Sequence, residues 1–310
     1  MEYEHREFVG GKQEPPLLPL LEDGVTESLC VQQAPSFVPG LTCRQWWDTS
    51  DVGWCQKLEG SYPEIREEFV KVTSDADSLT ERGNNVWAGA LTEDASSYGS
   101  GWRTLVLLDR GRWDPTNCAL FPRTARAVLE SGIPATEVFF ASMSAGSDIK
   151  VHSDFTNFVL TSHLAMIVPG NGGDKCRLTV GDETRQWIEG TVSLFDTSIL
   201  HSAVNESDGT RYILMFRLWH PDLTDVEREA LQTIYDCLEV PDLMSDDAGA
   251  RFMAERRVEM ARTFPQRLQE QDDYNSNKGG SGEISGGARK GKVKKGKGKR
   301  ERGKGKGFGA

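Results

Sequence analysis

A series of short apolar runs, rich in β-branched residues and separated by Gly, Asn and Asp, dominates the chain between residues 101 and 220. The runs lie at 101–113, 136–146, 158–170, 175–190, 191–196 and 210–220. Short strands at near-even spacing predict a double-sheet sandwich or barrel. A turn is expected at Gly181-Asp182, and Asp208-Gly209 is typical of a hairpin between two strands.

Helical patterns flank this β-rich region. Residues 122–132 predict a helix that ends at Gly132, and Pro63 followed by acidic residues predicts the start of another helix. Thr224-x-x-Glu227 predicts a capping box, and a last helix is expected over 247–264. The helix after the capping box has four apolar residues broadly on one side, Val226, Leu231, Ile234 and Leu238.

Composition divides the chain into three parts. Residues 1–40 are rich in Pro, Glu and Gly and predict an extended N-terminal arm. We expect residues 41–265 to form the folded domain, with a β core at about 101–220 and C-terminal helices over 224–264. Trp46, Trp47 and Trp54 are expected to pack at an edge of its core. Residues 266–310 have little apolar content and predict a disordered tail rich in Gly and Lys.

Charge is distributed unevenly along the chain. The net charge is −11, but residues 288–310 contain eleven Lys and Arg and one Glu, so the rest of the chain carries −21. A basic, Gly-interleaved tail neutralises phosphates without reading sequence, which suggests an RNA, ribosome or nuclear-import contact. A solubilising tail without a specific partner is the alternative.

The six cysteines are scattered without a CxxC pair, which is typical of reduced thiols in a cytosolic or nuclear protein. The N-terminus has no apolar core of a secretory signal, and no stretch approaches 18 apolar residues. We therefore expect a cytoplasmic or nuclear location and no membrane span.

The stretch KVHSDFTN carries the first chemical signal. Its His152 and Asp154 are two positions apart, so on an extended chain both side chains point the same way. His201 follows after several strands, and two imidazoles with one carboxylate form the ligand set of a non-haem Fe(II) site. A solvated turn or a simple hydrogen-bonded pair is the alternative interpretation of His-x-Asp.

Arg211 is the second signal. It begins the run RYILMFRLW, whose apolar residues on both faces predict a buried strand, and it shares a face with Ile213, Met215 and Arg217. A buried arginine needs an anion, and a carboxylate held by bidentate bonds is the expected partner.

The amino-acid sequence of the β-rich region resembles that of the aspartyl/asparaginyl β-hydroxylase family of 2-oxoglutarate-dependent oxygenases. The resemblance lies in GWRTLVLLDRGR, SMSAGSDIKVHSDFTNFVLTSHLAMIVP and CRLTVGDETRQWIEGTVSLFDTSILHSAVNESDGTRYILMFRLWHPDLT. It implies a double-stranded β-helix, the cupin-like jelly-roll fold, that binds Fe(II), 2-oxoglutarate and O₂. By position, His152 and His201 match the iron-binding histidines, Arg211 the residue gripping the distal carboxylate of 2-oxoglutarate, and His163 a residue lining that site.

Two residues depart from the family pattern. The animal enzymes have glycine where this chain has Asp154, so a third iron ligand is available here. Thr161 lies where those enzymes have a second co-substrate arginine, which puts the second anion contact in doubt. Ser142 and Asn157 are expected to line the pocket, and Asp196 is expected either to orient His201 or to be a strand-end turn residue. His220 is expected to cap the turn that it begins.

The resemblance implies hydroxylation of an unactivated carbon, best known at the β-carbon of an aspartyl or asparaginyl residue in a protein or peptide. A free amino acid or another small molecule is an alternative substrate. The rival hypothesis is a catalytically silent jelly-roll that binds or tethers partners through its basic tail.

Overall fold

A computed structural model describes residues 30–74, 88–89, 101–170 and 175–264. Most of the predicted N-terminal arm and the whole predicted basic tail, 266–310, lie outside the described residues. The described residues belong to one compact unit, Met1–Gln269.

The predicted strands and helices are largely confirmed. The strands are β1 (Trp46–Trp47), β2 (Ala88–Gly89), β3 (Trp102–Asp109), β4 (Arg112–Trp113), β5 (Ala135–Met143), β6 (Ser147–His152), β7 (Val159–Ile167), β8 (Cys176–Val180), β9 (Glu183–Gln186), β10 (Val192–Phe195), β11 (His201–Asn205) and β12 (Arg211–Trp219). The α-helices are α1 (Gly53–Thr73), α2 (Pro115–Leu120), α3 (Pro122–Ser131), α4 (Asp225–Glu239) and α5 (Ala248–Arg262), and a 3₁₀ helix spans Pro241–Met244.

The strands form two antiparallel sheets. The larger sheet has the order β1-β10-β7-β12-β5-β3-β2, with β4 paired to β3, and the smaller has the order β6-β11-β8-β9. From β5 onward the chain passes back and forth between the sheets, with only β8 and β9 consecutive in one sheet. This winding is the double-stranded β-helix, so the predicted fold class is confirmed.

The larger sheet is covered by an apolar layer on each face, which explains why the sequences of its central strands are continuous apolar runs. One face of the larger sheet packs against α1, α2 and α3, and Leu164 and Leu214 belong to that layer. The other face meets the smaller sheet, and Ala165 and Ile213 belong to this second layer. Because neighbouring residues of a strand point to opposite faces, β7 and β12 are buried on both sides.

The prediction of a hairpin at Asp208-Gly209 is wrong. β11 pairs with β6 and β8, whereas β12 pairs with β5 and β7, so the turn carries the chain from one sheet to the other. The side-chain amide of Asn205 donates to the carbonyl oxygens of Met143 and Gly209, both at 2.9 Å, and ties this crossing to the end of β5. Turn residues specify a change of direction but not the strand partner.

The helix start expected at Pro63 is also wrong, because α1 begins ten positions earlier and Pro63 lies inside it. A proline normally disfavours a helix interior since it lacks an N–H donor. Here the buried side chains of Leu58, Ile65 and Phe69 pack against the sheet along the whole helix, and this tertiary packing outweighs the local signal.

The C-terminal helices confirm the predicted capping box and correct the predicted packing face. The Thr224 side chain and Glu227 cap α4 reciprocally. The apolar stripe is largely exposed, however, with exposed fractions of 76% at Val226 and 71% at Leu238. Of the four predicted residues, Leu231 packs against the core, together with Tyr235, which was not part of the predicted face. Among the described helices, none is long and apolar enough to cross a membrane.

Candidate active site

Two histidines from neighbouring strands lie side by side at one end of the smaller sheet. His152 ends β6, His201 begins β11, and the two residues are register partners. Their ring centroids are 4.2 Å apart. The pairing of β6 with β11 therefore brings together imidazoles that are distant in the sequence.

Hydrogen bonds to backbone carbonyls determine which ring nitrogen of His152 and of His201 can bind a metal. Nδ1 of His152 lies 2.7 Å from the carbonyl oxygen of Lys150, and Nδ1 of His201 lies 2.9 Å from that of Ile199. A carbonyl only accepts, so each Nδ1 donates and each Nε2 keeps its lone pair for a metal. Burial, partly opposed by the charge of Asp154, lowers the pKa of His201 to about 4, so this ring is neutral at pH 7.

Asp154 completes the cluster. Its Oδ1 is 4.0 Å from Nε2 of His152, and the ligand atoms of His152, Asp154 and His201 all lie within 4.8 Å of one another. Burial raises the pKa of Asp154, but the guanidinium of Arg217 and the nearby His201 outweigh this effect and hold the pKa at about 2. Two neutral imidazoles and one ionised carboxylate are the donor set of a non-haem Fe(II) site, so these residues fit that ion.

Arg217 fixes the orientation of the Asp154 carboxylate. Its Nη1 donates to Oδ2 of Asp154, which leaves Oδ1 on the side of the histidines. The backbone N–H of Asp154 also donates to the carbonyl oxygen of Thr197 at 2.7 Å. A carboxylate ligand held by an outer partner is the usual arrangement in metal sites.

Arg211 is buried close to this cluster, with an exposed fraction of 1%. Its guanidinium carbon lies 4.2 Å from the ring centroid of Trp187 and 5.6 Å from that of Trp102. Burial lowers its pKa to about 9, which leaves it charged at pH 7. Nε and Nη2 are buried without a hydrogen-bond partner among the described residues, so the guanidinium is suited to bind an anion.

His163 lies on β7 beside the same tryptophan. The indole N–H of Trp187 donates to Nδ1 of His163 over 3.1 Å. Burial, reinforced by the charge of Arg211, keeps the pKa of His163 well below its usual value, so the ring is neutral. Since Nδ1 accepts, Nε2 carries the hydrogen and is the donor that the ring can offer.

One pocket between the two sheets contains both the metal-type cluster and the arginine. It holds about 390 Å³ of empty space, its open mouth included. Thr161 also lines it, with its hydroxyl oxygen 3.2 Å from that of Thr197. The walls are completed by Trp102, Ile149, Leu178, Trp187, Phe195, Ser202, Ala203 and Met215.

Two residues expected to line the pocket, Ser142 and Asn157, lie elsewhere. Ser142 is not among the residues that line the pocket, because it alternates with Ala141 and Met143, whose side chains form the layer between the sheets. Asn157 accepts from the backbone N–H of Val38 at 2.8 Å and donates to its carbonyl oxygen at 2.9 Å. It therefore anchors the N-terminal segment.

Asp196 does not orient His201, whose Nδ1 is already engaged by a backbone carbonyl. Its carboxylate accepts instead from Gln32 at 2.7 Å and from the backbone N–H of Ser198 at 2.9 Å. This is the turn role that was the alternative for Asp196. The turn role expected for His220 is confirmed, since its Nδ1 accepts from the N–H of Asp222 at 3.1 Å.

Arg217 and Trp187 are the site residues that had no expected role. The alternation in RYILMFRLW placed Arg217 on the face of Arg211, which is a usable signal, but nothing local indicated that its partner would be Asp154. Trp187 lies in a run whose apolar content indicated only a strand. Its contacts with both Arg211 and His163 depend on the crossing of the chain between the sheets.

Comparison with known proteins gives a consistent family match. A model of the family described as aspartyl/asparaginyl beta-hydroxylase matches residues 59–221, slightly more than half of the chain. The chain is 30% identical over 206 residues to the aspartyl/asparaginyl beta-hydroxylase of Mus musculus, covering 64% of this chain and 26% of that protein.

Two further relatives both have the name aspartate beta-hydroxylase domain-containing protein 2. The Xenopus tropicalis protein is 32% identical over 180 residues, covering 55% of this chain and 47% of its own length. The Homo sapiens protein is 38% identical over 143 residues, covering 43% of this chain and 37% of its own length. The match thus spans about a quarter to a half of the length of these relatives.

Proposed function

Because this chain belongs to the aspartyl/asparaginyl β-hydroxylase family, we propose that it is an Fe(II)- and 2-oxoglutarate-dependent dioxygenase that hydroxylates an unactivated carbon. The observation that carries the proposal is the combination, in one pocket, of a two-histidine, one-carboxylate cluster with a buried guanidinium that has unpaired N–H groups. A metal cluster alone would fit many proteins, whereas the added anion site fits a keto-acid co-substrate.

His152, Asp154 and His201 would hold the iron. The two rings present their Nε2 atoms, and Asp154 presents Oδ1 while Arg217 holds its other oxygen. Because all three ligands come from one side of the pocket, the opposite side stays available for the co-substrate and O₂.

Arg211 would bind the distal carboxylate of 2-oxoglutarate through charge-assisted hydrogen bonds. The Trp187 and Trp102 rings hold the guanidinium in place, so little side-chain freedom is lost on binding. His163, with its Nε2–H, and the hydroxyl of Thr161 are further polar groups of the pocket wall. Thr161 adds no positive charge, so Arg211 carries most of the anion recognition.

When bound, iron and 2-oxoglutarate would supply the oxidising chemistry with O₂ as the oxidant. The keto acid becomes succinate and CO₂, one oxygen atom of O₂ enters succinate, and the other enters a C–H bond of the substrate. The chain binds and orients these partners. Phe195, Leu178 and Met215 keep the pocket wall apolar and exclude water from the reacting groups.

The proposed substrate is the β-carbon of an aspartyl or asparaginyl residue in a protein or peptide, by analogy with the named activity of the relatives. A free amino acid or another small molecule is the alternative substrate. A silent jelly-roll is the second candidate, and Thr161 at the pocket wall is the feature that favours it. A cytoplasmic or nuclear location stays a prediction.

The role of the basic tail also stays a prediction, because residues 288–310 lie outside the described residues. A phosphate contact predicts that deleting these residues lowers salt-sensitive RNA affinity without altering succinate formation. Unchanged RNA affinity would favour a solubilising tail.

The test of the proposed function is succinate formation by the purified protein with Fe(II), ascorbate and 2-oxoglutarate. We expect turnover above that of the His152→Ala and His201→Ala variants, with His220→Ala as a control histidine outside the pocket. Turnover equal to that of the two pocket variants would support the silent jelly-roll. Mass spectrometry of cell extracts treated with the active protein would then identify the hydroxylated target.

A further inference from the structure

Two cysteine thiols lie in contact beside the candidate active site. The Sγ atoms of Cys30 and Cys43 are 3.5 Å apart, although the residues are 13 positions apart in the sequence. The Cys43 thiol also donates to the carbonyl oxygen of Cys30 over 3.7 Å. Both side chains are half-buried and pack against the apolar layer between the two sheets.

We propose that Cys30 and Cys43 are a reversible dithiol–disulfide pair that locks residues 30–43, which we call the rim segment, against the two loops that flank the metal-type cluster. A disulfide bond is about 2.05 Å long, so the sulfurs must approach by about 1.5 Å, a distance within reach of side-chain rotation. Disulfides in reducing compartments are usually transient and redox-sensing, which is the role proposed here.

The oxidant is a small disulfide such as oxidised glutathione. One thiol loses its proton and attacks a glutathione sulfur, which forms a mixed disulfide and releases one glutathione thiolate. The second cysteine then attacks the protein sulfur of that mixed disulfide and releases the second glutathione. In total, two thiols are oxidised to one disulfide, and one oxidised glutathione is reduced to two glutathione thiols.

The rim segment contacts the loop that carries two of the proposed iron ligands. The hydroxyl of Ser153, between His152 and Asp154, donates to the carbonyl oxygen of Gln33 over 2.6 Å. The backbone N–H of Ser36 donates to the carbonyl oxygen of Phe155 over 2.9 Å.

The same segment contacts the loop before His201. The backbone N–H of Gln33 donates to the carbonyl oxygen of Ser198 over 2.6 Å, and the Gln32 side chain donates to Asp196. The rim segment thus bridges the two loops that flank the metal-type cluster. Closing a ring through Cys30 and Cys43 restricts the opening of this bridge.

The first experiment detects the bond itself. The full chain is incubated with oxidised glutathione, denatured, alkylated with iodoacetamide and digested with trypsin. Both cysteines lie in one tryptic peptide, residues 13–44. After reduction it should carry two carbamidomethyl groups, and after oxidation it should carry none and be lighter by two hydrogens than the unmodified dithiol peptide.

Burial, together with the neighbouring Cys30, raises the pKa of the Cys43 thiol to about 12, so the incubation is run for hours at mildly alkaline pH. Chymotrypsin then cuts between the cysteines, and the two fragments should stay linked until a reductant is added. Peptide 13–44 carrying glutathione on its cysteines, or alkylated as in the reduced sample, would overturn the proposal.

The second experiment tests the lock. Phe37 lies inside the proposed ring and is 52% exposed, so it is an accessible chymotrypsin site. Because cleavage follows the population of locally opened chain, we expect the oxidised protein to be cut there about 10-fold more slowly than the reduced protein. The half-buried Cys237 gives the matched control, Cys237→Ser, which should behave like the wild type.

The variant Cys43→Ser should show no difference between oxidising and reducing conditions. Equal cleavage rates of the oxidised and reduced wild-type protein would show that the bond does not lock the rim segment and would overturn that part of the proposal. Both readouts follow thiols and backbone cleavage, so they remain valid whether or not the protein forms succinate.

Discussion

Arg211 is a buried cation with no carboxylate partner among the described residues. It lies at the start of β12, is 1% exposed, and is enclosed by the rings of Trp187 and Trp102. Burying an unpaired charge is unfavourable by several kcal/mol. An anionic ligand offsets this penalty, which makes Arg211 the residue on which the co-substrate assignment depends.

We predict that Arg211→Ala weakens 2-oxoglutarate binding about 10- to 100-fold, as expected for the loss of a hydrogen-bonded charge pair worth about 1.5–3 kcal/mol. Arg211→Lys should retain part of the affinity because it keeps the charge. Quenching of tryptophan fluorescence reports the binding, since Trp187 contacts the guanidinium. Equal losses of 2-oxoglutarate and metal affinity in Arg211→Ala would assign the residue a structural role.

Asp154 provides the second test at this scale. Asp154→Asn keeps the shape of the side chain but removes the charge that a ferrous ion would contact, so metal affinity should fall about 10-fold or more. Metal titration by calorimetry measures this. Asp148→Asn is the matched control, because Asp148 lies exposed on β6, the strand that precedes Asp154, and pairs with Lys150. Unchanged affinity in Asp154→Asn would show that the carboxylate is not a ligand.

His152 and Asp154 could be predicted to lie together because they are two positions apart in the sequence, so the chain itself keeps their side chains close. The pairing of Asp154 with Arg217 could not be predicted, because it joins residues 63 positions apart through a fold that the sequence describes only coarsely. The carbonyl of Ile199 as the partner of His201 was missed for a related reason, since backbone groups leave no mark in a sequence.

Among the elements, α3 depends on a side chain from α1. Glu68 is 6% exposed, and its carboxylate accepts from the backbone N–H groups of Arg123 and Thr124, each at 2.8 Å, and from the Thr124 hydroxyl at 2.7 Å. Both N–H groups lie in the first turn of α3, where backbone N–H groups have no hydrogen-bond acceptor within the helix itself. The carboxylate also complements the positive end of the helix dipole.

We predict that Glu68→Ala lowers the free energy of unfolding by about 2–4 kcal/mol, since it leaves buried donors without an acceptor. Urea denaturation measures the change. Glu64→Ala, one turn earlier and exposed, should change the free energy of unfolding by less than about 0.5 kcal/mol. A similar small change in Glu68→Ala would show that water replaces the carboxylate at the end of α3.

Strand and helix positions followed from the sequence, because period and turn residues are local properties. Strand partners did not, and the turn at Asp208-Gly209 shows the reason. The same two residues suit a hairpin or a crossing between sheets, and only the packing of β12 between β5 and β7 decides. The start of α1 was missed because a long buried face outweighed the local effect of Pro63.

For the whole molecule, the position of the pocket connects ligand binding to stability. The candidate ligands come from β6, β11 and the loop after β6, whereas Arg211 and His163 come from the opposing sheet. A metal and a keto acid bound together would therefore join the two sheets. Ligands that bind only the folded chain raise its stability by mass action.

We predict that Mn²⁺, as a redox-inactive substitute, together with 2-oxoglutarate raises the melting temperature by about 10–20 °C when both are present near 100 times their Kd. Differential scanning fluorimetry measures this. Arg211→Ala should lose the part of the shift that depends on 2-oxoglutarate while keeping the part that depends on Mn²⁺. A shift in the wild type that is independent of 2-oxoglutarate would argue against a shared pocket.

In the proposed active site, His152 and His201 share one ferrous ion beside a keto acid bound to Arg211. Anaerobic titration of the protein with Fe(II) in the presence of 2-oxoglutarate tests it directly, because chelation of the ion by the keto acid produces a visible charge-transfer band. We predict a band that saturates at one ion per chain and is absent in His152→Ala and His201→Ala. No band in the wild type, or an equal band in these two variants, would contradict it.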